Sequence, residues 1–207
     1  MPEKSPRKRA NGEASRARIL DAATEIASER GYEGTSIAVV SKRCGLPASS
    51  IYWHFADKDD LIAAVIERSF GQWLAAWTIS AADPAAQRVS EMATQVAKAL
   101  QDSPDFLRLG LMLALERRPV EPRAREMFLS VRHRALAAVR ETVAELAPGL
   151  SEADRDRLAT YAMAGADGLF IAKEIGGDAV DLLGMFELHG RLVVDAALRL
   201  AAGKQDQ

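Results

Sequence analysis

Apolar residues recur along this chain with helical spacing almost from end to end, and the sustained alternation of a half-buried strand is absent. Ile19, Ala23, Ile26 and Ala27 mark one face of a first helix from about Ser15 to Arg30, with Gly31 placed as its stop. Thr35 or Ser36 suits the cap of a second helix through Ile37, Val40 and Cys44. Gly45-Leu46 makes a tight turn. Pro47 lacks an N–H and so suits the first position of a third helix, ending near Phe55. Asp57 caps a longer fourth helix through Leu61, Val65, Phe70, Trp73 and Trp77.

Turn residues divide the remainder. Asp83-Pro84 opens a fifth helix to about Gln101, and Ser103-Pro104 a sixth to about Arg117. The stretch from Arg118 to Pro122 breaks the pattern before a seventh helix to about Leu146. After Pro148-Gly149, Ser151 with Asp154 reads as the cap and first-turn acid of an eighth helix to about Ile175. Gly176-Gly177 stops it, and a ninth runs from about Ala179 to Ala202. The predicted fold is all-α: an N-terminal three-helix helix-turn-helix domain, then a C-terminal bundle of about six helices.

The stretch PASSIYWHFADKDDL, from Pro47 to Leu61, gives this pattern a chemistry. In a helix-turn-helix unit the second helix of the pair enters the DNA major groove. Ile51 and Phe55 are four apart and should face inward, against Ile26 and Val40. Ser49, Ser50 and His54 can donate or accept hydrogen bonds in a groove. Tyr52 and Trp53 offer flat apolar area with one donor each, suited to a thymine methyl.

The run GYEGTSIAVVSKRCGLPASSIYWHFADKDDL resembles the DNA-binding domain of TetR/AcrR-type transcriptional regulators over about residues 15–62. The shared features are a glycine-aromatic pair, Thr-Ser, a glycine-hydrophobic turn, Tyr-x-His-Phe and a lysine before an apolar helix. Pro47 stands where that family often has a capping Ser or Thr, and Ser41 where it usually has Ala. The resemblance implies three helices for DNA and six for effector binding and dimerisation. It implies backbone contacts by Tyr52 and His54, a phosphate contact by Lys58, and a phosphate held near Thr35 and Ser36. With Arg16, Ser49, Ser50 and Trp53, these form the expected DNA-binding set.

The expected organisation is a flexible basic arm at residues 1–14, the DNA-binding domain at 15–56, and an effector-binding and dimerisation domain at 57–207. Trp73, Trp77, Phe106, Met112, His133 and Phe170 are the expected effector contacts, because Trp and Met line adaptable apolar pockets. Small residues in AMAGADGLF and apolar positions on several sides of the ninth helix suggest a four-helix dimer interface. Its expected members are Ala162, Gly165, Leu169, Phe186, Val193, Val194 and Ala197. His189, with no metal-ligand spacing around it, reads as structural or solvent-facing.

Composition bounds the rest. The chain has 207 residues, 48% hydrophobic, and a formal net charge of −2. Residues 1–56 hold nine Lys/Arg and six Asp/Glu, whereas residues 57–207 hold eighteen and twenty-three. A basic front end on an acidic body marks where an anionic partner docks. The single cysteine, Cys44, excludes an internal disulfide and a CxxC metal site, and is expected to be a small buried residue. No metal, cofactor or catalytic pair is expected. No apolar run approaches the ~18 residues that span a bilayer, and the basic start has no apolar stretch after it. The expectation is a cytoplasmic, homodimeric, ligand-responsive DNA-binding repressor, with no membrane partner and no enzymatic activity. The alternatives are an activator of the same fold, or an all-α carrier or enzyme.

Overall fold

The computed structural model describes residues 6–75, 85–102, 104–116 and 123–203. Among them every regular element is helical: α1 (Pro6–Gly34), α2 (Ile37–Cys44), α3 (Ala48–His54), α4 (Lys58–Ala75), α5 (Ala85–Asp102), α6 (Asp105–Leu115), α7 (Arg123–Leu146), α8 (Glu152–Gly176) and α9 (Leu182–Ala202). A 3-10 turn, Gly177–Ala179, joins the last two.

Glycine and capping side chains set most boundaries where the sequence places them. Gly31 adopts φ 68° and interrupts the helical backbone of α1, so the run up to Arg30 is one helix and Tyr32–Gly34 a separate turn. Gly45, also at φ 68°, ends α2 in the left-handed conformation. Ser36 caps α2, Asp57 caps α4 by accepting from the Asp60 N–H at 2.8 Å, and Ser151 caps α8.

Three boundaries move. α1 starts at Pro6 rather than near Ser15, so residues 6–14, expected as part of a flexible arm, are helical. Pro47 is the N-cap of α3, with extended backbone, and helical geometry begins at Ala48. α9 starts at Leu182 rather than near Ala179, because the Asp181 carboxylate accepts from the Gly184 N–H at 3.0 Å and fixes the cap there.

The chain forms two compact units, Met1–Gln72 with Asp105–Val131, and Trp73–Pro104 with Arg132–Gln207. Packing therefore groups α4 as far as Gln72, α6 and the start of α7 with the helix-turn-helix, beyond the expected boundary at residue 56. In the first unit, Ile19, Ala23 and Ile26 of α1 meet Val40, Ile51, Phe55, Leu61 and Val65 in one core. A fully buried Ile or Leu contributes about 1.5–3 kcal/mol there. A second layer stacks Phe70, Phe106 and Phe128, with ring centroids 5.7 and 5.9 Å apart. Gly110 is required in that layer, since a Cβ at this position would lie 2.0 Å from the Phe128 ring.

In the second unit α9 packs against α5 and α8. Gly190 permits the close approach to α5, with Ala93 Cβ 3.2 Å from where its own Cβ would stand. Val143, Ala147, Leu150, Leu158 and Ala197 form a buried cluster. Charged pairs rim it: Arg88 with Glu145, and Arg140 with Glu152 and Asp156.

Candidate nucleic-acid interface

α2 and α3 are held at a fixed angle by the turn between them. The Arg18 guanidinium donates to the Cys44 carbonyl at 2.7 Å, satisfying a carbonyl that the helix end leaves open. Ser41 Oγ donates to the Leu46 carbonyl at 2.7 Å. That bond gives the serine a structural use in the turn. Cys44 is buried as expected. Ile51 and Phe55 are buried in the same cluster as Ile26 and Val40, as their spacing predicts.

With that face inward, α3 presents the opposite one. Tyr52 is 57% exposed and Trp53 67%, unusual values for aromatics. Ser49 is exposed and Ser50 half-buried. The Trp53 ring meets the His54 ring edge-on at 4.6 Å. Arg16 of α1 stands over the Phe55 ring, 5.3 Å from its centroid. Burial first, and the Arg16 charge second, hold the His54 imidazole below its ordinary pKa.

Two of the expected contacts take a different form. Thr35 is only 1% exposed, and its hydroxyl donates to the Gly31 carbonyl at 2.8 Å. It therefore stabilises the turn after α1 and presents nothing to a phosphate. Lys58 is half-buried and already engaged. Its ammonium donates to the Tyr32 carbonyl at 3.2 Å, lies 3.6 Å from the Glu33 carboxylate and sits 4.1 Å above the Tyr32 ring. Ser36 is exposed, and its oxygen accepts from the Val39 N–H at 3.3 Å, which leaves its hydroxyl proton available to a phosphate.

Sequence reasoning missed Asp59, one residue beyond Lys58. Its carboxylate accepts from the Tyr32 hydroxyl at 3.1 Å and from the N–H groups of Arg123 and Ala124 at 2.5 and 3.2 Å. It thus caps the start of α7 from the start of α4. No local pattern announces a cap supplied by a residue so far away in the chain.

The other expected sites are dispersed. Phe106 and Met112 lie in the first unit and Phe170 and His133 in the second. Phe170 is buried, His133 exposed, and Met112 is 49% exposed with its methyl against Gly31. Trp77 and the side chain of Trp73 lie outside the described residues. A crevice in the first unit among Thr24, Ala27, Val65, Ile66, Phe106 and Leu109 holds only about 10 Å³, room for about one water.

Of the expected dimer residues, Phe186, Val193 and Ala197 are buried within their own unit and so are not on a free face. Gly165 faces its own α9: a Cβ there would lie 2.3 Å from His189 Cε1, and His189 Nε2 is 2.9 Å from the Ala162 carbonyl. Ala162, Leu169 and Val194 are half-buried. Exposed apolar side chains on these helices include Tyr161, Ile171 and Ile175 on α8, and Met185, Leu188, Leu192, Leu198 and Leu200 on α9.

Residues 19–65, spanning the α1 core face, the turn, α3 and the start of α4, match the family profile of bacterial regulatory proteins of the tetR family. The match is confined to this N-terminal stretch of the chain. The transcriptional regulator AcrR of Shigella flexneri is 40% identical over 55 residues, which are 27% of this chain and 26% of that protein. The match thus spans about a quarter of the curated relative. Solved structures extend the likeness of fold beyond this stretch. A TetR-family regulator from Streptomyces coelicolor, SCO4454, aligns with a TM-score of 0.71 at 23% identity, over 88% of this chain and 95% of its own. SmeT, the repressor of the Stenotrophomonas maltophilia multidrug efflux pump SmeDEF, aligns at 0.66 and 20% identity, over 87% and 89%. Among the described residues no helix is long and apolar enough to cross a membrane.

Proposed function

We propose that this chain is a ligand-responsive transcriptional regulator that binds a near-palindromic DNA site as a homodimer, represses from it, and is released by a small, largely apolar effector. The carrying observation is α3. Its inner face is locked by Ile51 and Phe55, while Tyr52 and Trp53 stand mostly exposed on the other side, with Ser49 exposed one turn before them. The tetR-family match over residues 19–65, and relatives and structural neighbours described as regulators, support the same reading over catalysis. The site of action is the cytoplasm, where the DNA is.

Tyr52, Trp53, His54, Ser36, Ser49, Ser50, Arg16 and Lys58 are the proposed DNA contacts. Lys58 must exchange its internal partners for a phosphate on binding. Trp73, Trp77, Phe106, Met112, His133 and Phe170 are the proposed effector contacts. Two copies would pair through the outward apolar faces of α8 and α9, with Ala162, Leu169 and Val194 at their edges. Such a dimer sets two copies of α3 about 34–36 Å apart, one turn of the double helix. An effector with ~100-fold preference for the form that cannot span both half-sites supplies about 2.7 kcal/mol of coupling.

The test is a mobility-shift titration with duplex DNA flanking the protein's own gene. The expected complex survives an excess of random duplex competitor. A complex competed away equally by random duplex would contradict sequence-specific regulation.

A further inference from the structure

α3 reads ASSIYWH, without an Arg, Lys, Asn, Gln, Asp or Glu. Those residue types make the hydrogen bonds by which a helix in the major groove tells guanine, adenine and cytosine apart. Ile51 is committed to the core. What the rest of α3 offers a groove is serine hydroxyls, an imidazole and two large aromatic rings, and the rings of Tyr52 and Trp53 are mostly exposed. Among the four bases only thymine shows an apolar group in the major groove, the C5-methyl, with its O4 acceptor beside it. An indole matches that edge in kind, with broad apolar area and a single N–H donor.

The fold holds the Trp53 ring in place while leaving most of it open. Its outer edge lies against α1: a Cβ on Gly12 would stand 3.7 Å from Cζ3 and 3.8 Å from Cη2. The His54 ring meets it edge-on, with centroids 4.6 Å apart, a favoured arrangement for two rings. A side chain already held this way has less rotamer freedom to lose when a partner arrives. Trp53 also shares a face of α3 with Ser49, four positions earlier and likewise exposed.

We propose that Trp53 is a specificity-determining residue that reads the C5-methyl of a thymine in each half-site. The inference rests on the reading of α3 given above. It makes 5-methylcytosine, which carries the same methyl at the same ring position, a better substitute for that thymine than cytosine is. Burying one methyl group changes affinity by about fourfold, and one in each of two half-sites by about 15-fold.

The experiment titrates the full chain, and a Trp53→Ala variant, against a duplex that the parent selects from a random pool. Thymines are replaced by deoxyuridine at one symmetric pair of positions at a time. Deoxyuridine keeps every hydrogen-bonding group and lacks only the methyl. At one pair of positions the parent's affinity should fall by about 15-fold. The variant, whose fold circular dichroism checks, should bind the thymine and deoxyuridine duplexes equally, as a pairwise contact requires. A parent indifferent to deoxyuridine at every position overturns the proposal. So does an equal loss in the variant, which would assign the methyl's effect to the stiffness of the duplex. A second arm needs no variant: the parent should bind a duplex with 5-methylcytosine·guanine at that pair of positions about 15-fold more tightly than one with cytosine·guanine. Equal binding overturns the proposal. A parent that prefers no sequence overturns this proposal together with the proposed function, whereas a selective parent that ignores the methyl overturns this proposal alone.

Discussion

Lys58 is surrounded before any DNA arrives. The Tyr32 carbonyl, the Tyr32 ring and the Glu33 carboxylate all hold its ammonium. Glu33 is mostly exposed, so its pair with Lys58 is screened and weak, of order 0–1 kcal/mol. It still competes with a phosphate for the same cation. Glu33→Gln should therefore tighten DNA binding, by up to about fivefold, in an anisotropy titration at fixed salt; weaker binding would show that Glu33 positions Lys58 rather than competing for it. His54 gives a pH signature. Its imidazole is held below the ordinary 6.5 by burial and then by Arg16. The fold favours the neutral ring, so this contribution to stability is present above about 6.5 and is lost as pH falls through the folded value. A phosphate against His54 favours the charged ring instead. DNA binding then takes up a proton, and affinity should rise as pH falls from about 8 to 6. His54→Gln should flatten that profile, and an unchanged profile would remove His54 from the contacts. At this scale the sequence was legible where one face decided the matter. Ile51 and Phe55, four apart, could only anchor α3. Thr35 was not legible, because a threonine before a helix reads the same whether its hydroxyl meets solvent or bonds back to the Gly31 carbonyl.

Helix ends show the same division. Gly31, Gly45, Ser36, Asp57 and Ser151 mark boundaries through local chemistry, and each behaves as its residue type requires. Asp181 is also a local cap, but the glycine pair and 3-10 turn before it obscured the start of α9. The start of α7 depends on a residue from elsewhere. Asp59 accepts from two of its N–H groups while standing next to Lys58, so the first turns of α4 and α7 are joined at the proposed phosphate contact. Asp59→Ala leaves those N–H groups and the Tyr32 hydroxyl without this acceptor. It should lower stability by about 1–3 kcal/mol in urea unfolding, and should weaken DNA binding as well, because Lys58 loses its fixed neighbour. Asp59→Asn, which keeps one acceptor oxygen, should fall between the two. A variant as stable as the parent would mean that the cap contributes nothing.

On the scale of the whole molecule, small residues in α8 and apolar positions around α9 correctly mark tightly packed helices, but periodicity does not say which partner each face meets. Gly165 serves the contact with His189, and Phe186, Val193 and Ala197 serve the unit's own core. What remains outward includes Ile175, at 83% exposed, with Leu188 and Leu192 on α9. Outward apolar side chains on two adjacent helices are what a partner copy would cover. Leu188→Glu should leave the fold intact, because the side chain is exposed. It should convert dimer to monomer in analytical ultracentrifugation and abolish tight binding to a two-half-site duplex; a dimer that persists would move the interface off this face. Lys58, α3 and this face are coupled in the proposal only because two copies must fit one site. The most direct measurement is selection of duplexes from a random-sequence pool by the purified protein, with sequencing of those retained. The account predicts enrichment of one near-palindromic motif whose half-sites are centred about one helical turn, 10–10.5 base pairs, apart or a multiple of it. A retained pool with no shared motif, or a single unpaired half-site, would contradict it.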